Sequence, residues 1–126
     1  MEGRLISLIA CCLIAWKCEQ PLEAPEGYYN GTIEGKVYYD PDNDGQFEPA
    51  PLAKVKLDEH PLLPDTKPKT LTDSWGYFKF EDVEPGEHVI WGSKEGQGSA
   101  YYIGKRKVYL EKRGNAYVEL KLHAWP

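Results

Sequence analysis

The chain has 126 residues, 15 of them basic and 20 acidic, for a net charge of −5. That length holds one domain with a modest core, and the acidic balance excludes the basic footprint of a nucleic-acid binder. All three cysteines, Cys11, Cys12 and Cys18, lie near the N-terminus, so no disulfide framework spans the body.

Leu5 to Trp16, LISLIACCLIAW, is apolar apart from Ser7 and follows a short head holding Arg4. It is too short for a bilayer-spanning helix, which takes about 20 residues, but it has the size of a secretory h-region. Within it, Leu8-Ile9-Ala10-Cys11 resembles a bacterial lipobox. That resemblance implies cleavage before Cys11, a lipid on Cys11, and a tether from there to the domain. The head also holds Glu2 and lies close to Cys11, so a signal cut elsewhere, or an uncleaved anchor, stays open. Residues 1–18 are read as this signal or anchor. Residues 19–30, rich in Pro and Glu, are read as a linker.

The body opens with Gly31 to Tyr39. Ile33, Val37 and Tyr39 share one face with Gly35, and Thr32, Glu34, Lys36 and Tyr38 share the other, as in a half-buried strand. After an acidic stretch, Val55 and Leu57 alternate with Lys54, Lys56 and Asp58 in a second strand. Residues 59–68 hold Pro61, Pro64 and Pro68 and cannot be a central strand. Thr70 to Thr72 is a short edge candidate, and Asp73 to Gly76 is a turn. Phe78 and Phe80 then point one way, Tyr77 and Lys79 the other. After the turn Glu84-Pro85-Gly86 comes a strand over Glu87 to Trp91, with His88 and Ile90 on the core face. Gly92 to Gly98 reads as a flexible loop. Tyr101 to Leu110 follows, with a break allowed at Gly104. Beyond the turn at Lys112–Asn115, Ala116, Val118, Leu120 and Leu122 alternate with Tyr117, Glu119 and Lys121. About seven strands, turn signals roughly every 8–12 residues and no helical periodicity predict an antiparallel Ig-like sandwich over residues 31–122. Residues 123–126 are left as a tail.

The acidic stretch carries the sharpest chemical signal. Asp40, Asp42 and Asp44 alternate, Gly45 falls where calcium loops turn sharply, and Gln46 falls where they offer a carbonyl. Counted from Asp40, the twelfth position, where a helix-loop-helix site has Glu, is Pro51. Either that ligand is absent, or the loop is shortened and Glu48 takes its place. The expectation is a structural calcium held by the side chains of Asp40, Asp42, Asp44 and Glu48 and the carbonyl of Gln46. Without the twelfth ligand its affinity belongs near 10⁻⁴–10⁻³ M, on the order of extracellular sites. A solvated acidic turn is the alternative, because Asp, Asn and Gly favour turns on their own.

Taken together, Gly35-Lys-Val37, the aspartate loop, Pro51 to Leu57, Thr72-Asp-Ser-Trp-Gly76-Tyr-Phe78-Lys-Phe80 and Val83-Glu-Pro85-Gly86-Glu-His88 resemble one known group. It is the carboxypeptidase-regulatory-like and SdrD B-like group of prealbumin-type β-sandwiches. The resemblance covers most of residues 31–122. It implies a prealbumin-type sandwich, structural calcium in the aspartate loop, and a role as a spacer or presenter at the cell surface.

Enzymes on the same sandwich are not matched. Intradiol dioxygenases hold iron with two Tyr and two His close in sequence, whereas His60, His88 and His123 are far apart. Transthyretin-like hydrolases need a His and Arg constellation that the C-terminus lacks. A Lys–Asn isopeptide bond has Lys36 and Asn115 as nominal partners, but alternation points Lys36 outward. No catalytic residues are assigned, and no enzyme is expected. The aromatics offer binding instead: Trp75 sits at a turn tip and Trp91 ends a strand, and flat rings on a β surface stack on sugars or anchor proteins. The leading expectation is an exported accessory module that docks a protein or complex of the cell envelope, reaching the membrane only through its lipid or N-terminal anchor. The alternative is a carbohydrate-binding module that uses Trp75 and Trp91.

Overall fold

The structure is a computed structural model that describes residues 24–125. The stretch read as a signal or anchor, Cys11 and the start of the segment read as a linker lie outside the described residues. Those residues form nine strands and no helix: β1 (Gly31–Tyr39), β2 (Glu48–Pro49), β3 (Lys54–Leu57), β4 (Lys69–Leu71), β5 (Tyr77–Val83), β6 (Gly86–Glu95), β7 (Tyr101–Leu110), β8 (Asn115–Lys121) and β9 (His123–Ala124).

They make two sheets. In the first, β1 pairs antiparallel with β5 and β2 along one edge and parallel with β8 along the other. The second has the order β4-β3-β6-β7-β9 and is antiparallel throughout. Alternation turns one face of each sheet inward. Ile33, Val37, Phe78, Phe80, Val118 and Leu120 of the first meet Val55, Leu57, Ile90 and Leu110 of the second. Each such side chain contributes about 1.5–3 kcal/mol on burial, so the sandwich holds without a cross-link.

The all-β sandwich is as expected. Its details differ in four places, and each has a physical reason. The β1–β8 pair is parallel. β6 continues to Glu95, past the glycines read as a loop. β7 runs unbroken through Gly104. The tail contains a strand. Gly92 and Gly104 explain the middle two. A β-carbon on Gly92 would lie 3.1 Å from methyls of both Leu120 and Leu122, and one on Gly104 would lie 2.4 Å from the Lys121 carbonyl oxygen. The missing side chains let the end of β8 cross close over β6 and β7. There the chain changes sheets: the Leu122 N–H donates to the Tyr38 carbonyl (2.8 Å), and His123 and Ala124 then pair with Ile103 and Tyr102. One edge of the sandwich is closed in this way.

Residues just ahead of β1 are docked too. The Arg113 N–H donates to the Tyr29 carbonyl (2.7 Å), and the Arg113 guanidinium lies 4.7 Å from the Tyr28 ring centre. Asn30 Nδ2 donates to Asp82 Oδ1 at 3.0 Å.

Candidate functional site

On β3 the alternation puts Val55 and Leu57 in the core and Lys54 and Lys56 on the outer face of the second sheet. The sequence reading puts Lys56 opposite Val55 and Leu57, and it is 0 % exposed there. The segment Asp58–Pro68, too rich in proline to join the sheet, lies back across that face and covers it. A buried ammonium must be paired and hydrogen-bonded. Lys56 Nζ stands 3.1 Å from Glu59 and 3.0 Å from Asp65, and it donates to the carbonyls of His60 (3.2 Å) and Leu63 (2.9 Å). Burial alone would lower its pKa; Asp65 and Glu59 more than offset this and raise it. Glu59 also accepts from the Thr66 hydroxyl and from the N–H groups of Thr66 and Lys67. The Thr66 hydroxyl, with Lys56 and these N–H groups, brings the Glu59 carboxyl down to about 2 against the cost of burial. Lys54 and Lys56 bring Asp65 down to about 2 as well.

This buried network fixes the position of His60, whose ring packs against Trp91 with centroids 4.5 Å apart and planes tilted by 50°. Trp91 faces outward from β6, on the same rung as Lys56 of β3 and Lys105 of β7. Lys105 Nζ lies 5.1 Å from the Trp91 ring centre. Trp125 completes the group, 6.4 Å from His60 and edge-on to it. The sheet switch at Leu122 brings Trp125 here, where its N–H donates to the Tyr101 carbonyl at 2.7 Å. Trp125 keeps 47 % of its surface exposed, whereas Trp91 is half-buried beneath its neighbours.

A groove of about 570 Å³ opens on the same side, walled by Leu52, Pro61, Leu62 and Tyr101 with Lys54, Ser93, Lys94 and Glu95. Tyr101 joins it to Trp125. A second groove of about 610 Å³ lies past Lys94 and Glu95 and includes Tyr39, Asp42, Gln97 and Tyr102. The outer face near the β6–β7 turn thus offers aromatic rings, both charges and a hydroxyl in a volume that suits a small ligand.

The aspartate loop is differently built. Asp40 accepts N–H groups from Asp44 (3.2 Å) and Gly45 (2.7 Å), and Asp44 accepts the Gln46 N–H (2.9 Å). Desolvation would raise the Asp40 pKa, but the bonds from Gly45, Asp44 and Asn43 bring it below the ordinary carboxylate value. Gly45 has φ +86° with open space around it, so glycine is there for its backbone. Asp42, Asp44 and Gln46 are exposed, and Glu48 is exposed on β2 opposite Tyr39. No three acidic or histidine side chains converge on one point among the described residues. Two of the carboxylates accept N–H groups from the loop's own backbone.

The other singled-out residues are scattered. Trp75 is 69 % exposed on the β4–β5 turn, where Asp73 accepts its N–H. It shares no contact with the Trp91 group. His88 is bonded at both ring nitrogens, to Asp58 Oδ2 and to the Glu84 carbonyl, each at 2.6 Å. His123 lies edge-on to Phe47 beside the aspartate loop. Lys36 is opposite Glu119 and Asn115 opposite Thr32; four rungs, about 13 Å, separate them. Tyr101, Lys105 and Trp125 went unread as a group because they meet only through the β6–β7 register and the sheet switch. For His60 the only sequence cue was the pair of carboxylates, Glu59 and Asp65, in a proline-rich segment beside a strand lysine.

No family model matches the chain, and no curated protein matches it. Among solved structures it is similar to a Pseudomonas aeruginosa protein provisionally designated a carbohydrate binding protein. That likeness has a TM-score of 0.54 at 17% identity and covers 79% of this chain and 98% of the other. Similarity at this level concerns the fold.

Proposed function

We propose that the chain is a non-catalytic module that binds carbohydrate on the outer face of its five-stranded sheet. One observation carries the reading: Trp91, His60 and Trp125 are gathered beside a groove entered by Tyr101, Ser93 and Glu95. Flat rings take the apolar face of a sugar, and a few polar groups take its hydroxyls. The likeness to a protein provisionally designated carbohydrate-binding supports the same reading. The motif resemblance to carboxypeptidase-regulatory-like and SdrD B-like domains adds a role as a spacer or presenter at the cell surface. In this reading the apolar stretch Leu5–Trp16 exports the module, and a lipid on Cys11 or an N-terminal anchor holds it at the envelope, where a protein partner presents it.

A glycan array followed by titration of the bound sugars is the test. Saturable binding is expected. Trp125→Ala and Tyr101→Ala should each weaken it at least about tenfold, while Trp75→Ala changes it less than about twofold. Loss through Trp75→Ala alone would move the site to the turn. An array with no bound glycan would refute carbohydrate binding and favour the protein-docking role.

A further inference from the structure

The charges around Trp91 are unevenly matched, and the mismatch says which sugar suits the face. Four lysines other than Lys105 on the strands of the second sheet each have a carboxylate. Lys54 and Lys56 share Asp65 at 3.0 Å, Lys69 reaches the same group at 3.7 Å, and Lys107 lies 3.8 Å from Glu87. None of the described carboxylates forms an ion pair with Lys105. Its ammonium stands over the Trp91 ring instead. Its outward neighbours along β7 are Ile103 and Lys107, and the nearest outward acid toward the turn, Glu95, is opposite Tyr101, four residues and about 13 Å along the strand. A cation with no carboxylate partner among the described residues, set beside an aromatic platform, is placed to meet an anion.

We infer that the sugar taken by this face carries an acidic substituent, a carboxylate or a sulfate, and that Lys105 is the residue that reads it. The inference rests on the carbohydrate reading. A pyranose lying against Trp125 and Trp91 would sit beside the Lys105 ammonium, within reach of an exocyclic group. For a neutral sugar that group is a hydroxymethyl, which offers the cation no counter-charge. For a uronic acid it is a carboxylate, and for a sulfated sugar a sulfate ester. Either supplies a charge-assisted hydrogen bond, and a half-exposed pair of this kind weakens with salt.

The array should therefore hold neutral, uronate and sulfated glycans, and the protein and its Lys105→Gln variant should be read side by side. Trigalacturonate and its neutral methyl ester supply a matched pair for titration at 50 and 300 mM sodium chloride, chosen on the order of a Debye length apart in screening. Acidic glycans are expected to bind at least about tenfold more tightly than their neutral counterparts, with the preference shrinking at the higher salt. Lys105→Gln is expected to bring that preference below about twofold. Uronate hits without sulfate hits assign the carboxylate, and the converse assigns the sulfate. Equal binding of acidic and neutral glycans, or a preference that survives Lys105→Gln, overturns the inference and leaves the carbohydrate reading standing. An array on which nothing binds removes both.

Discussion

The loop Asp40–Glu48 and the segment Asp58–Pro68 are both held by carboxylates, but at different range. Asp40 and Asp44 accept N–H groups two to five residues away. Those bonds need nothing outside the loop. Glu59 and Asp65 grip Lys56, which is fixed only once β3 has paired with β4 and β6. The first loop owes its shape to its own sequence, and the second owes it to the assembled sheet. Local bonds make a loop legible but leave it at the rim. Bonds to the sheet hide a loop from sequence reading and give it leverage over the face it covers.

The comparison breaks most visibly at Lys56. Lys56→Ala leaves Glu59 and Asp65 facing each other without their cation, and truncating one partner of a buried pair is strongly destabilising. A fall in Tm of more than about 10 °C is expected for a domain of this size, with Trp91 fluorescence changing as His60 departs. A fall under about 3 °C would mean that the segment is held by its backbone bonds, as the aspartate loop is.

The dependence on pH sharpens the contrast. Glu59 and Asp65 have folded values near 2, below their ordinary 4.5 and 3.8. Their contribution is complete above about 4.5 and is lost as pH falls toward about 2. His88 behaves oppositely. Burial alone would lower its pKa, but Asp58 and the Glu84 carbonyl raise it above 6.5. Its contribution is complete below about 6.5 and is lost as pH rises through the folded value. Urea midpoints measured from pH 2 to 9 should give a plateau between these limits. Lys56→Ala should flatten the acid limb and His88→Gln the alkaline one. An acid limb unchanged in Lys56→Ala would assign it to other carboxylates.

The smallest effects belong to the aspartate loop. Asp40→Ala removes the carboxylate that accepts two backbone N–H groups and should lower Tm by about 3–6 °C with Trp91 fluorescence unchanged. Millimolar calcium should move amide resonances of residues 40–48 and raise Tm by less than about 3 °C, because the acidic side chains do not converge on one point and must be gathered on binding. A larger rise, abolished in Asp40→Ala, would show that they turn out to form a cage.

The strands whose alternation decided their fate were legible: β1, β5 and β8 lie where Ile33, Phe78 and Leu120 required. Alternation assigns a side chain to a face but cannot say what covers that face, which is why it put Lys56 opposite Val55 and Leu57 without showing that it is buried. Gly92 was read for its flexibility when its use was its lack of volume beneath Leu120 and Leu122. At the candidate site Trp91 was visible as an aromatic at a strand end. Trp125 was not, because its position depends on the crossing at Leu122, and no local pattern in His123–Trp125 encodes where the neighbouring sheet will be.

The parallel pairing of β1 with β8 joins residues 32–38 to residues 115–121. The centre of the first sheet therefore waits for a partner made some eighty residues later. Until it arrives, β1 has an unpaired edge on its most apolar strand, and Ile33 and Val37 have no opposing β8 side chains. Pairing at such separation pays its loop-closure cost before any reward. Folding of this domain is expected to be a late, all-at-once event, with the newly made chain open to chaperones and proteases until β8 is in place.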